Sequence, residues 1–194
     1  MTEKNKLFKI ENRTVGQFHK PLIIPELGIN HNGSIETAFK VVDAAKRSGA
    51  EIIKHQTHIP EDEMSEEAKK IKPGNSKKNI YKIISQSSLS EENEYKLFKY
   101  IKKKNMMFLS TPFSRMAVDR LVKFGVKTFK IGSGEMNNYP LIEYITDLNR
   151  QLIISTGMHS LNNVKKLVNL LKKKKRKFAL LHTTNLYPTP DKLV

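Results

Sequence analysis

The sequence predicts an α/β fold, a (β/α)8 TIM barrel that is incomplete here, with about six of the eight βα units within 194 residues. Short apolar segments alternate with amphipathic ones from residue 21 to the end, as repeated units with parallel strands require. Polar side chains stand at the C-terminal end of every predicted strand, where a barrel builds its active site. The Gly-rich fingerprint of a doubly wound sheet is absent, which favours the barrel.

The predicted elements follow one another without a linker. Six segments have the near-continuous apolar character of strands that are buried on both faces. They are Leu22–Gly28, Glu51–Thr57, Met106–Thr111, Lys127–Gly132, Leu152–Thr156 and Phe178–Thr183. Helices are predicted at Ile35–Ser48, after Ser90, and over about Met116–Phe124, Tyr139–Leu148 and Leu161–Lys174. Serines at the N-cap positions and glycines after the last turn mark several ends, namely Ser34, Ser90 and Ser160, then Gly49 and Gly125.

Two stretches do not fit the strand-helix repeat. Residues 1–20 are predicted to be an N-terminal extension with a hairpin, and residues 21–194 to be the partial barrel domain. Residues 60–88 are long for a βα connection, and a short helix is predicted within them at about Ile80–Ser85. A barrel needs about 250 residues, so six strands would leave it unclosed, with edges open to pairing.

The composition is basic, with 35 Lys and Arg against 19 Asp and Glu and a formal net charge of +16. Such a charge raises the question of nucleic-acid binding. The basic runs 102–104 and 172–177 follow amphipathic stretches, so we expect them at helix C-termini, where cations stabilise the helix dipole. No aromatic residues interleave these runs as a stacking surface would require. Nucleic acid is therefore not the expected partner.

Several functional classes are excluded by what the composition lacks. The chain contains no cysteine, so a disulfide framework, a thiolate nucleophile and a Cys-ligated metal are ruled out. Any metal would need His and oxygen ligands, yet the histidines at 55, 58, 159 and 182 show no i, i+4 pairing on a helix. No apolar run reaches the 18 or so residues of a spanning helix, and the first twenty residues lack a signal-peptide core. We therefore expect a cytoplasmic protein without a membrane partner.

Charged residues inside apolar strands are the strongest local indication of a site. Glu26 lies inside the first predicted strand, near its C-terminal end, where an ionised carboxylate is costly without partners, and this favours ligand binding over a structural role. Lys54 and Lys130 suit an anionic group or a Schiff base, and the alternative is a structural pair with a nearby carboxylate. The two lysines, the glycine turn at 132–134 and three nearby hydroxyls together favour a small anionic ligand. The hydroxyls belong to Thr111, Ser133 and Ser155.

Motifs in all six units resemble the sialic acid synthase family, the phosphoenolpyruvate-dependent synthases of N-acetylneuraminate and of related nonulosonates such as legionaminate. The resemblance runs in order through about residues 21–194. It rests on PELGINHNGS (25–34), AEIIKHQTH (50–58), LSTPFS (109–114), FKIGSGEMNNYPLI (129–142), STGM (155–158) and LLHTTNLYPTP (180–190).

The resemblance implies a transferase reaction and a role for each matching residue. Phosphoenolpyruvate condenses with N-acetylmannosamine or a related amino sugar: C3 attacks the open-chain aldehyde, water adds at C2, and phosphate leaves by C–O cleavage. The implied phosphoenolpyruvate ligands are Lys54, Thr111, Lys130, Ser133, Ser155 and Asn185. The residues implied to face the amino sugar are Glu26, Gln56, Glu135 and Tyr187, with Glu135 and Glu26 as the catalytic candidates. A divalent metal, Mn²⁺ or Mg²⁺, and a homodimer are also implied.

This chain departs from the family in what it lacks. The SDHT-like and ERHF-like motifs, whose histidines bind the metal in the family, do not occur, so the metal ligands are expected beyond Val194. The antifreeze-like C-terminal domain of the family is also absent. We therefore expect catalysis only together with the missing part, with the acceptor sugar undetermined. The alternatives are a truncated, non-catalytic fragment that binds a partner chain or a polyanion, and another phosphoenolpyruvate-dependent aldol-type synthase.

Overall fold

The computed structural model describes residues 7–74, 76–186 and 188–193. Over this part of the chain the strands are β1 (Phe8–Ile10), β2 (Arg13–Val15), β3 (Glu26–Gly28), β4 (Ile52–Thr57), β5 (Met107–Pro112), β6 (Thr128–Ile131), β7 (Gln151–Ser155) and β8 (Phe178–Leu181). The α-helices are α1 (Ile35–Arg47), α2 (Pro60–Glu63), α3 (Glu66–Lys70), α4 (Ile80–Ser87), α5 (Glu91–Lys103), α6 (Arg115–Lys123), α7 (Tyr139–Asp147) and α8 (Leu161–Lys173). Short 3₁₀ helices cover Ser133–Glu135 and Asp191–Leu193.

The chain divides into two compact units, Lys20–Val126 and Met1–His19 with Lys127–Val194. The first unit contains β3, β4 and β5 as neighbouring parallel strands, with Glu26 in register with Lys54 and Gln56 with Thr111. Its core consists of fully buried aliphatic side chains from strands and helices, among them Leu27, Ile52, Leu97 and others. The parallel register places the C-terminal strand ends side by side, and this positions the candidate residues of the unit.

The second unit pairs β6, β7 and β8 in parallel, with Lys130 in register with Ile153 and Ser155 with Leu181. The apolar faces of α7 and α8 bury Ile142, Ile145 and Leu167 in this unit. β1 and β2 form an antiparallel hairpin in the same unit. Thus the described residues contain six parallel strands, three in each unit.

Helix ends follow the sequence prediction closely. The hydroxyls of Ser34, Ser90 and Ser160 accept a hydrogen bond from the backbone N–H three residues on, so the three predicted N-caps are confirmed. Gly49 and Gly125 have φ of +83° and +88°, the left-handed conformation that glycine adopts without strain after a helix. The basic runs lie at the C-terminal ends of α5 and α8, as predicted.

Two predicted boundaries were wrong. The first strand covers only Glu26–Gly28, because Pro25 has no N–H to give to a ladder and residues 21–25 do not pair as a strand. β8 ends at Leu181, so His182 lies after the strand rather than within it. No helix among the described residues has the length and apolar character needed to cross a membrane.

Candidate active site

The two faces of β4 carry different polar side chains, because successive strand residues point to opposite faces. Lys54 and Gln56 are partly exposed, whereas His55 and Thr57 are buried. Thr111, which lies beside Gln56 in the next strand, is 2% exposed. One face of β4 is thus available to a ligand, and the other is turned into the protein.

The side chains of Glu26 and Lys54 form an ion pair across neighbouring strands, with side-chain exposures of 43% and 16%. Glu26 is the first residue of its strand and remains half in solvent. The expectation that it lies inside an apolar strand, where its charge would be costly, was therefore wrong. The structural alternative for Lys54, a pair with a nearby carboxylate, is what the structure shows. Glu26 begins β3 and Lys54 is the third residue of β4, and both side chains are partly exposed to solvent.

Lys130 is the most enclosed of the candidate cations, at 5% exposure. Its Nζ donates to the Ser155 hydroxyl at 2.6 Å and to the Ile131 carbonyl at 2.6 Å. Ser155 is itself buried at the end of the adjacent strand. The structure thus brings together two of the residues implied to bind phosphoenolpyruvate, a cation and a hydroxyl, at the C-terminal ends of β6 and β7.

The turn after β6 carries two further candidates. Ser133 is buried at the start of a 3₁₀ turn, and its carbonyl accepts a hydrogen bond from His159 Nε2 at 2.8 Å. Glu135 Oε2 accepts from Asn138 Nδ2 at 2.7 Å, and Asn138 also caps α7. The Glu135 carboxylate is therefore oriented by the residue that caps α7.

The last two candidates follow β8. Asn185 lies against Gly157, where an added Cβ would overlap the Asn185 Oδ1 and stand 2.7 Å from the Thr183 carbonyl. This close approach ties the segment after β8 to the turn after β7. Tyr187, which is implied to face the amino sugar, lies outside the described residues.

Behind β4, a buried carboxylate that the sequence analysis did not identify collects three partners. Glu94 of α5 accepts from the Thr57 hydroxyl, from Arg120 Nη1 at 3.0 Å, and faces His55 Nε2 at 3.4 Å. Ser110 Oγ lies 2.8 Å from the Thr57 oxygen and extends the network. Burial opposes ionisation, but the groups from His55, Thr57 and Arg120 outweigh it and hold the pKa of Glu94 below its usual range.

Two buried histidines continue this network towards the turn after β3. His55 Nδ1 donates to the Gly28 carbonyl at 3.2 Å, and the rings of His55 and His31 lie 5.3 Å apart. His31 Nδ1 accepts from the Gly33 N–H at 3.1 Å. Burial, followed by the neighbouring His55, lowers the pKa of His31 to about 4. His55 is therefore a hydrogen-bonded residue of the protein interior.

A second group that the sequence analysis missed stands at the C-terminal end of β4. His58 bridges Glu63 and Gln56, with its Nδ1 2.9 Å from Glu63 Oε1 and its Nε2 3.1 Å from Gln56 Oε1. The pattern in the sequence that could have predicted the contact of His58 with Glu63 was a histidine just after a strand and a glutamate five residues later. For Glu94 the signal was clearer, because it shares the helical stripe of Leu97 and Ile101.

The described residues do not offer the site that a divalent metal would need. No group of three or more His, Asp or Glu side chains among them is arranged to hold an ion. His55, His58 and His159 each engage a different partner, the Gly28 carbonyl, Glu63 and the Ser133 carbonyl. The implied metal therefore does not fit the residues described.

Comparison with known proteins relates this arrangement to a family. Residues 41–194 match the family model described as the NeuB family. The N,N′-diacetyllegionaminic acid synthase of Campylobacter jejuni is 38% identical over 178 residues, which cover 88% of this chain and 53% of that protein. The N-acetylneuraminate-9-phosphate synthase of Mus musculus is 32% identical over 180 residues, which cover 91% of this chain and 50% of that protein.

The same relationship holds for the fold. A crystal structure of an N-acetylneuraminic acid synthetase from Leptospira borgpetersenii, in complex with citrate, matches with a TM-score of 0.83 at 28% identity. The match covers 95% of this chain and 61% of that chain. It confirms the predicted fold class, an α/β fold built from part of a (β/α)8 barrel. The chain spans about half the length of the curated relatives it matches.

Proposed function

Because the chain belongs to the NeuB family, we propose that it supplies the phosphoenolpyruvate site and part of the amino-sugar site of a nonulosonate synthase. The observation that carries the proposal is the enclosed Lys130 ammonium beside the Ser155 hydroxyl, at 2.6 Å. A cation with a neighbouring hydroxyl in a water-poor environment attracts a phosphate or carboxylate more strongly than one in solvent.

In the proposed reaction, C3 of phosphoenolpyruvate attacks the aldehyde carbon of the open-chain amino sugar, water adds at C2, and phosphate leaves by C–O cleavage. The residues of this chain bind, orient and transfer protons. Two lysines, three hydroxyls and one amide hold the phosphate and carboxylate groups of phosphoenolpyruvate. They belong to Lys54, Lys130, Thr111, Ser133, Ser155 and Asn185. Gln56, Glu26 and Tyr187 face the sugar, and Glu135, oriented by Asn138, is the proposed proton-transfer group.

The acceptor is proposed as a class, an N-acetylated amino sugar. The names of the two relatives, a diacetyllegionaminic acid synthase and an N-acetylneuraminate-9-phosphate synthase, indicate different acceptors within that class. Comparing N-acetylmannosamine, its diacetamido analogue and phosphorylated sugars as ligands of the chain will distinguish them.

Phosphoenolpyruvate is expected to raise the thermal unfolding temperature of the chain, and Lys130→Ala to abolish the rise. Ligand at 100 times its Kd stabilises a binding-competent protein by about 2.7 kcal/mol. The test is a thermal melt with and without phosphoenolpyruvate, with circular dichroism to verify that each variant is folded. The matched control is Lys127→Ala, an exposed lysine at the other end of the same strand segment, which should keep the full rise.

Two outcomes would contradict the proposal. One is equal stabilisation of the native chain and the Lys130→Ala variant. The other is stabilisation by sulfate that matches stabilisation by phosphoenolpyruvate at equal concentration, since a chain of net charge +16 attracts any anion nonspecifically.

Glu26→Gln is expected to strengthen phosphoenolpyruvate binding roughly two- to fivefold, while it removes a group proposed to face the sugar. The carboxylate pairs with Lys54 and repels an arriving anion, and a partly exposed charge interaction of this kind contributes up to about 1 kcal/mol. Isothermal titration calorimetry measures the change, with Glu51→Gln at the opposite end of β4 as the control. Weaker binding of phosphoenolpyruvate to Glu26→Gln would show that the carboxylate supports the anion site instead of competing with it.

A further inference from the structure

His58 stands at the centre of a hydrogen-bonded row at the C-terminal end of β4. Its Nδ1 lies 2.9 and 3.0 Å from the two carboxylate oxygens of Glu63, and its Nε2 lies 3.1 Å from Gln56 Oε1. The side chains of His58 and Glu63 are only 4% and 5% exposed. The row therefore runs from an enclosed carboxylate, through an imidazole, to an amide on the ligand-facing side of β4.

Contacts on both sides hold the imidazole in place. Its ring stacks on Phe113 with the centroids 4.3 Å apart and the planes 12° from parallel. α2, which carries Glu63, is tied to the start of α6 by the Met116 N–H, which donates to Asp62 Oδ2 at 3.1 Å. Glu63 and Phe113 thus fix the ring from its edge and from its face, so that Nε2 has one direction in which to bond.

The donors and acceptors in this row determine where its protons lie. A carboxylate only accepts hydrogen bonds, so His58 Nδ1 must carry a proton to bond Glu63. A carbonyl oxygen likewise only accepts, so His58 Nε2 must carry a second proton to bond Gln56 Oε1. With Nδ1 on the enclosed Glu63 carboxylate at 2.9 Å and Nε2 on the Gln56 carbonyl oxygen at 3.1 Å, the ring uses both of its nitrogens as donors in this arrangement. If Nε2 carried no proton, the Gln56 amide would take the opposite orientation, with its NH₂ on His58.

We propose that Glu63 and His58 are positioning residues that hold the Gln56 amide with its carbonyl on His58 and its NH₂ group towards the amino sugar. The inference rests on the proposed function, in which Gln56 faces the acceptor. An amide offers a donor at one end and an acceptor at the other, and an N–H group at His58 Nε2 selects the acceptor end. The row thereby makes this part of the acceptor site a hydrogen-bond donor, which favours an N-acetyl carbonyl or a hydroxyl oxygen of the sugar.

This orientation contributes to specificity because a buried or half-buried amide that meets the wrong partner leaves two groups unsatisfied. A sugar that offers an oxygen at this point gains a hydrogen bond, whereas one that offers only a donor does not. Loss of the fixed orientation is expected to weaken binding of N-acetylmannosamine about tenfold, the value of one well-placed hydrogen bond.

Nuclear magnetic resonance of the chain labelled with ¹⁵N-histidine and with ¹⁵N in glutamine side chains tests the proposal at neutral pH. The native chain should show proton-bearing signals from both ring nitrogens of His58. Glu63→Gln should leave one, and should shift the Gln56 NH₂ signals. Glu67→Gln, an exposed glutamate on the neighbouring helix, should change neither.

A rescue variant separates positioning from packing. In Gln56→Glu combined with Glu63→Gln, the carboxylate moves from one side of His58 to the other, so the second ring proton should return. Loss of packing alone predicts no such return. A native ring with a single proton, or a ring that is unchanged in Glu63→Gln, would overturn the proposal.

Titration with N-acetylmannosamine in the presence of phosphoenolpyruvate tests the link to the acceptor. The Gln56 NH₂ signals should shift in the native chain, with roughly tenfold weaker binding in Glu63→Gln and native affinity in Glu67→Gln. Equal sugar affinity in the native chain and Glu63→Gln would overturn the role in specificity. If the native chain does not respond to sugar at all, the proposed function is what fails, because the ring-nitrogen signals decide the orientation of Gln56 independently.

Discussion

Replacing Glu94 by alanine is expected to lower the free energy of unfolding by about 3–5 kcal/mol, the usual cost of removing one partner from a buried charge network. Glu94 is 1% exposed and is bonded to Thr57 and Arg120, with His55 Nε2 at 3.4 Å. Without the carboxylate, the Arg120 guanidinium and the Thr57 hydroxyl keep their burial but lose their acceptor. For a chain of this size the change corresponds to a fall of roughly 10 °C in the unfolding temperature.

Urea unfolding at neutral pH measures this loss. Glu92→Ala, two residues earlier on the exposed face of the same helix, is the matched control. Glu92 pairs with Lys96 in solvent, so its loss should leave the free energy of unfolding nearly unchanged. Glu94→Gln keeps the shape of the side chain, so its free energy of unfolding should lie between those of the native chain and Glu94→Ala. A Glu94→Ala midpoint close to that of Glu92→Ala would mean that the network does not stabilise the fold.

Acidification from pH 7 to pH 5 is expected to cost the chain about 2 kcal/mol through His31 alone. The pKa of His31 is lowered from 6.5 to about 4, chiefly by burial and then by His55. The unfolded chain takes up a proton below pH 6.5, while the folded chain keeps the ring neutral until about pH 4. The contribution of His31 to the free energy of unfolding is therefore fully present above pH 6.5. It falls as the pH drops towards 4, by about 3 kcal/mol in total.

His31→Asn provides the test, because asparagine does not titrate in this range and offers an oxygen to the Gly33 N–H that His31 Nδ1 accepts from. The variant should lose less stability than the native chain between pH 7 and pH 5, whatever its stability at pH 7. Glu94 contributes at lower pH, because the pKa of its carboxyl is held below the usual range. Its stabilisation is present above the usual pKa of a glutamate and is lost as the pH falls through the lowered pKa. Parallel pH profiles of His31→Asn and the native chain would contradict this role of His31.

The order of the main strands and helices could be predicted from the sequence, because each of them is indicated by residues within its own segment. Strands that are buried on both faces are apolar throughout, and helices begin at serine caps such as Ser34 and Ser90. The short helices α2 and α3 escaped prediction because PEDE and EEAKK have no apolar stripe to reveal them. The first strand was predicted too long, because residues 22–25 are apolar enough but Pro25 limits their pairing.

For the candidate site, too, the residues could be predicted from their own segments, whereas the contacts between distant segments could not. A lysine such as Lys130 is conspicuous inside an apolar strand, so its presence at a site could be predicted. Its partner could not, since the contact with Ser155 depends on strand register across 25 residues of sequence. The pair of Lys54 with Glu26 depends on register in the same manner. The roles assigned to these residues in binding and catalysis stay predictions.

The two-faced character of β4 restricts where the length of this chain can change. Lys54 and Gln56 lie on the partly exposed face, which we propose binds the ligand, while His55 and Thr57 form hydrogen bonds to groups within the protein. A slip of one residue would exchange the two sets, with a lysine and an amide turned towards the buried Glu94 and a histidine turned towards the ligand. An insertion or deletion between α1 and β4 therefore threatens the site and the core together. Residues beyond Glu63 of α2, up to α4, can lengthen or shorten without this penalty.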